Sequence, residues 1–263
     1  MLRSLKYLES YKVSAADGDI GRVTDFLFDD RHWTIRYLVT DTSGFWEEKH
    51  QVLVSPISFR QIDWETQLFH LGLTQAKLKG SPSVDLARPV SRQYEQEYFH
   101  YFEWPYYWGY GGIWGMDSYP FALARTTVNH ERTHAQDTLR DPHLRSSKTV
   151  AGYHVRGSDG DIGYIVDFIV DDETWTIRYL VIDIGSWWFG RKVLVAPQWA
   201  EEVSWSKNVL CLNLTMEVIQ SGPTWSPTTP IDREYEERLY EHYGRPAYWA
   251  SRDASGQVPP VGS

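Results

Sequence analysis

The chain has 263 residues, 42% hydrophobic and 23% charged, enough apolar material for a packed core and too little charge for a wholly disordered chain. Lys and Arg number 26 against 35 Asp and Glu, and a net charge of −9 argues against direct nucleic-acid binding or an anionic-lipid surface. No run approaches the roughly 18 apolar residues of a membrane span, so no membrane insertion is expected.

The first strand signal is Tyr11–Ser14, followed by Asp17-Gly18, a pair that tolerates positive φ and joins antiparallel strands. Val23–Phe28 is rich in β-branched and aromatic residues and is closed by Asp29-Asp30. Trp33–Thr40 is the strongest strand, with Trp33, Ile35, Tyr37 and Val39 on one face and Thr34, Arg36, Leu38 and Thr40 on the other. Gln51–Val54, Ser58–Ile62 and Leu68–Leu71 follow, with Asp63–Thr66 as the hairpin turn of the last two. Short strands at this spacing point to a small barrel or sandwich, and closure would remove exposed edges. A helix is expected over 89–102, its stripe formed by Tyr94, Tyr98, Tyr101 and Phe102.

Residues 98–121 carry Trp104, Tyr106, Tyr107, Trp108, Tyr110, Trp114 and Tyr119 with no helical or strand period. They read either as a cover for the preceding strands or as a contact surface, since Trp and Tyr dominate binding hot spots. A polar connector then leads into a second set of the same signals, in which Asp232 is the N-cap of a helix striped by Tyr235, Leu239 and Tyr243.

The second set is a copy of the first. Residues 17–41 and 159–183 are identical at 17 of 25 positions, at an offset of 142. After a one-residue deletion Val52-Leu53-Val54 matches Val193-Leu194-Val195, and Arg92-x-Tyr94-Glu95 matches Arg233-x-Tyr235-Glu236. Pro105-x-Tyr107-Trp108 likewise matches Pro246-x-Tyr248-Trp249. So long a period means duplicated domains rather than a solenoid.

Taken together, a Gly-x-Val-x-Asp-Phe segment, Asp-Asp-x-x-Trp-x-Ile-Arg-Tyr-Leu-Val, a Val-Leu-Val-x-Pro strand and a closing Ser-Pro resemble the PRC-barrel family. This is the small β-barrel shared by the cytoplasmic part of the photosynthetic reaction-centre H subunit and the ribosome maturation factor RimM. The resemblance covers roughly residues 5–83 and 148–223. It implies a mainly β protein of two small antiparallel PRC-type barrels, each followed by a short helix. The expected layout is a first barrel over 1–85, a helix, aromatic segment and polar helical linker over 86–147, a second barrel over 148–226, and a C-terminal helix with a disordered tail over 227–263. Members of the family serve as assembly modules, so a non-enzymatic role is expected, with a protein partner, self-association as a homodimer, and no cofactor. A role with photosynthetic-type complexes follows from one relative, and a role in ribosome maturation from the other.

Several residue sets could carry chemistry or contacts. His130-Glu131-x-x-His134 matches a zinc-hydrolase helix, but polar neighbours mark it as linker, and no catalytic or metal residue is assigned. Asp17–Asp19 and Asp159–Asp161 lack the further carboxylates of a calcium loop and read as turns. Asp25 with Arg36, and Asp167 with Arg178, are expected as cross-strand ion pairs. The partner-contact candidates are Trp104, Tyr106, Tyr107, Trp108 and Trp114, with Trp187 and Trp188 in the second copy. The lone Cys211 permits no intrachain disulfide and reads as a packed strand residue; with no apolar leader at the N-terminus, a cytoplasmic location is expected.

Overall fold

The structure, a computed structural model, describes residues 1–47, 50–86, 90–125, 143–185 and 190–250. The chain divides into two compact units, Met1–Gly152 with Asp167–Tyr179, and Tyr153–Val166 with Leu180–Ser263. The His130 to His134 motif, Trp187, Trp188 and the expected tail beyond 250 lie outside the described residues.

The first unit opens with β1 (Leu2–Ser4), α1 (Leu5–Leu8), β2 (Lys12–Ala15), β3 (Gly18–Asp29) and β4 (Thr34–Asp41). It continues with β5 (Gln51–Val54), β6 (Phe59–Asp63), β7 (Leu68–Leu71), α2 (Gln75–Lys79), α3 (Arg92–Phe102), α4 (Pro120–Ala124), β8 (Leu144–Ser146) and α5 (Ser147–Val150). The sheet order is β5-β4-β3-β2-β7-β6, with β2 and β7 parallel and the other neighbours antiparallel. The sheet is therefore mixed, and it does not close into the expected barrel: β5 and β6 are its two ends. A Pro56–Ser58 3₁₀ turn separates them, and the outer edge of β5 is met by a helix instead, where the Tyr98 hydroxyl donates to the Leu53 carbonyl at 3.0 Å.

Local chemistry sets the strand limits. Trp33 takes a left-handed φ of 51°, so the strand expected from Trp33 begins one residue later, at Thr34. Both faces of Thr34–Thr40 are buried, where the alternation alone would leave one face free. Gly21 is required by crowding: with φ 154°, a Cβ there would sit 1.8 Å from the Asp41 carbonyl oxygen. The Asp63 carboxylate accepts the Glu65 and Thr66 amides and so builds the expected hairpin turn. Ser91 caps α3 through the Tyr94 amide, which starts that helix at Arg92.

The second unit contains β9 (His154–Arg156), the Asp161–Val166 part of β10 (Asp161–Asp171) and the Leu180–Asp183 part of β11 (Ile177–Asp183). It also holds β12 (Lys192–Val195), β13 (Ala200–Ser204), β14 (Val209–Leu212), α6 (Met216–Gln220), β15 (Thr224–Trp225) and α7 (Arg233–His242). The order β13-β14-β9-β10-β11-β12-β15, with β14 parallel to β9, repeats the first sheet and is likewise open. Asp232 caps α7, as its sequence position predicts. Each of the longer helices docks on its own unit by the same route. Tyr94 and Tyr101 donate to the carbonyls of Pro82 and Lys77, and their counterparts Tyr235 and His242 meet those of Pro223 and Val218.

Inside the first unit, segments of the two copies exchange contacts reciprocally. Leu2–Ser4 pairs with Ile169–Asp171, and its counterpart Leu144–Ser146 pairs with Leu27–Asp29. Arg3 pairs with Asp172, and Arg145 with Asp30. Ile35 donates its amide to the Trp175 carbonyl at 2.8 Å, and Ile177 donates to that of Trp33 at 2.6 Å. Such mutual i-to-j and j-to-i contact is the signature of an isologous interface, here formed within one chain.

Asp25 and Asp167 serve this exchange rather than the expected ion pairs with Arg36 and Arg178. Asp25 accepts from the Ser146 and Ser147 hydroxyls and the Lys148 amide, and Asp167 from the Ser4 hydroxyl and the Lys6 amide. The register explains it: Asp25 stands opposite Val39, three positions from Arg36, while a bulge between Leu27 and Phe28 leaves Arg36 outside the ladder. Replacing Asp25 by Ala should therefore cost about 1–3 kcal/mol, in the range of hydrogen bonds to a charged group. Hydrogen exchange should speed up selectively at 144–149; unchanged protection there would show that the carboxylate does not hold the exchanged strand.

Candidate functional site

The charged residues that meet are buried against α3. Arg36, 1% exposed, donates from Nε (3.1 Å) and Nη2 (2.6 Å) to Asp29 Oδ2, and from Nη1 to the Ile113 carbonyl (2.7 Å). Its guanidinium packs on two aromatic rings, 3.8 Å from the Tyr107 centroid and 4.6 Å from that of Trp114, the rings themselves standing 6.1 Å apart at 64°. Burial alone would raise the Asp29 carboxyl, but the Arg36 charge and the His32 hydrogen bond hold it well below the usual carboxylate range. In the second copy Arg178 meets Asp171 at 3.0 Å, the counterpart of Asp29, with its side chain 11% exposed.

Beside this pair lies a carboxyl–imidazole cluster. Glu95 is fully buried; its Oε1 accepts from the Tyr107 hydroxyl at 2.8 Å and from Tyr37 at 3.3 Å. Its Oε2 is 3.0 Å from Arg92 Nη1 and 3.5 Å from His143 Nε2, yet neither contact is aligned as a hydrogen bond. Burial raises Glu95 to about 7, against the pull of Arg92, the Tyr107 hydrogen bond and Arg36. Burial, with Arg92 next, lowers His143 to about 3, so the imidazole is neutral at pH 7. Arg92 Nη2 lies 3.0 Å from His143 Nε2 and 3.4 Å from Nδ1, and the Tyr107 hydroxyl lies 3.1 Å from Nε2, so the imidazole packs against both the guanidinium and the phenol.

The second unit contains the same clasp in reduced form. Arg233 stacks on Trp249 at 3.9 Å as Arg92 stacks on Trp108 at 4.1 Å. Tyr248 donates to Glu236 at 3.1 Å, and Arg233 stands 3.6 Å from the same carboxylate. The repeated Arg-x-x-Glu and Pro-x-Tyr-Trp motifs are thus the two halves of one internal fastening, joining a helix to the segment that follows it.

A buried acid, imidazole and phenol have the makings of proton-transfer chemistry, but reaction also needs a substrate within reach. Two open grooves, of about 720 and 770 Å³, are lined by other residues. Among the described residues no group of three or more His, Cys, Asp or Glu is placed to hold a metal ion.

Of the five aromatic contact candidates among the described residues, two are buried and three half-buried. Tyr107 and Trp114 are buried, and the Trp114 indole donates to the Thr174 carbonyl at 2.8 Å, which removes both from any partner surface. Trp104, Tyr106 and Trp108 are half-buried; Trp104 stacks on Phe102 at 4.8 Å, and Tyr106 on Trp108 at 4.4 Å. The physical reason is the buried charge of Arg36 and Glu95, which needs aromatic and hydrogen-bonding cover. Sequence reading missed Asp29, Asp171 and His143. The Leu-Arg-Ser triplets at 2–4 and 144–146, also 142 apart, are the signal that reveals the strand exchange.

No family model matches the chain. A curated relative, an uncharacterised protein of Deinococcus radiodurans, is 38% identical over 61 residues, 23% of this chain and 22% of that protein. The match therefore spans about a fifth of that relative's length.

The titrations have definite signs. The Glu95 carboxyl holds its proton more tightly in the folded chain (about 7) than at its ordinary 4.5, so its contribution to stability is full below pH 4.5 and is lost as pH rises toward 7. His143 does the reverse: its contribution is full above 6.5 and is lost as pH falls toward 3. Glu95→Gln keeps shape and removes the first limb alone. Relative to the parent, this variant should gain ~3 kcal/mol between pH 4.5 and 7 in urea unfolding; a constant difference would refute a buried proton on Glu95. Arg36→Ala strands the Asp29 charge and should cost about 3–5 kcal/mol, and Arg178→Ala clearly less, since its pair is more exposed.

Proposed function

We propose that the chain is a non-enzymatic assembly module built from two copies of one open, PRC-like mixed sheet, acting through protein contacts. The observation that carries this reading is the use made of the repeated polar residues. Arg92, Glu95 and Tyr107, with Arg233, Glu236 and Tyr248, fasten each helix to its following segment, and the equivalent Asp25 and Asp167 hold exchanged strands. Positions kept in both copies thus serve architecture, as expected of a scaffold whose function lies on its surface. The resemblance to the reaction-centre H subunit suggests complexes of that kind as the setting and a second copy of the chain as one partner. An intracellular setting also fits the single free thiol.

Crosslinking of the tagged full chain in native lysate, followed by mass spectrometry, tests the proposal. Capture of a stoichiometric protein partner, insensitive to ribonuclease, is expected. Capture that vanishes with ribonuclease and falls steeply with salt would favour a ribosome-maturation role instead. Stoichiometric zinc in the purified protein would favour the hydrolase reading.

A further inference from the structure

We propose that the outer edge of β6, with the groove beside it, binds an extended acidic peptide segment of a protein partner by strand addition. β6 ends its sheet, so among the described residues one side of its backbone has no strand neighbour. The groove of about 770 Å³ touches Phe59, Arg60, Gln61 and Ile62 in unbroken succession. The ladder with β7 is irregular between Phe59 and Gln61, so Arg60 has no partner opposite it on β7 and the groove follows four consecutive residues of this end strand. The groove is also lined by Tyr119, Pro120, Phe121, Ala124 and Arg125, of which Phe121 is 53% exposed, and by Trp175.

Charge selects the occupant. Arg60 and Arg125 both line the groove, both are exposed, and among the described residues neither forms an ion pair. Of the two carboxylates nearby, Asp172 is already neutralised by Arg3, leaving Glu173. Two guanidiniums without an ion pair among the described residues, that of Arg125 resting 5.9 Å from the Phe121 ring, against the one carboxylate of Glu173 favour an acidic segment. Strand addition is also a mode this fold already uses: three-residue strands, Leu2–Ser4 and Leu144–Ser146, add to β10 and β3. A peptide on β6 would gain main-chain hydrogen bonds from the edge and side-chain contacts from Phe59 and Phe121.

The inference rests on the assembly-module reading but is tested separately from it. The probe is a fluorescent peptide, acetyl-Glu-Val-Thr-Val-Thr-Val-Glu-amide, titrated against the full chain by polarisation, with hydrogen exchange as second readout. Saturable binding is expected, together with new protection of the 59–63 amides. Arg60→Glu and Arg125→Glu should each weaken binding about tenfold, and the milder Arg60→Gln and Arg125→Gln, exposed substitutions that leave the fold intact, by less. N-methylation of alternate peptide amides should abolish it.

Four results would each overturn the inference: no saturable binding, equal affinity for the N-methylated peptide, indifference to both charge reversals, or a chain dimer that protects β6 without peptide. Loss of peptide binding while a lysate partner is still captured would sink this inference alone and leave the module reading standing.

Discussion

A guanidinium held out of water at Arg36 is the constraint around which the first unit is arranged. An isolated charge in such a place is prohibitively costly, so every nearby group answers it. Asp29 supplies the counter-charge, the Ile113 carbonyl takes another N–H, and the rings of Tyr107 and Trp114 pack against it. Tyr107 in turn is held by Glu95, and Trp114 by the Thr174 carbonyl. One arginine thereby specifies where a Gly-rich segment of no regular structure must lie. Stability is a poor explanation for such a pair, because an apolar replacement of equal volume is often as good. Specificity of the fold around residues 104–115 explains it better.

The secondary structure was largely legible because it depends on local rules. Alternation located Gln51–Val54 and Leu68–Leu71 to the residue, and the Asp232 cap and aromatic stripes located the helices. The error at Trp33 has a local cause, a left-handed turn residue that no alternation pattern reveals. Closure into a barrel was not legible, since it depends on whether β5 meets β6 or a tyrosine hydroxyl, a matter of long-range packing.

The ionic pairing was misread for an instructive reason. Arg36 and Asp25 share a strand pair, and an undistorted hairpin would bring such residues within reach. A bulge shifts the register by one, and the arginine meets Asp29 instead. The duplicated sequence carries a check on this, because Asp29 and Asp171 match between the copies as well as Asp25 and Asp167 do. Where two acidic positions are retained, each needs a separate task, and the structure assigns one to the arginine and the other to the exchanged strand.

Divergence between the copies follows from the same chemistry. Arg36 is 1% exposed beneath the 104–115 segment, whereas the side chain of Arg178 is 11% exposed and the side chain of Arg233 53% exposed. Only the first copy is followed in sequence by the long aromatic segment, and among the described residues an imidazole joins the clasp there alone, at His143. In the first copy, removing solvent from the Arg–Glu–Tyr arrangement raises the cost of ionising Glu95 and lifts its carboxyl to about 7 against the pull of Arg92 and the Tyr107 hydrogen bond. The duplicated clasp is thus one arrangement kept in both copies and closed over more fully in the first, where the Arg92 side chain is 8% exposed against 53% for Arg233.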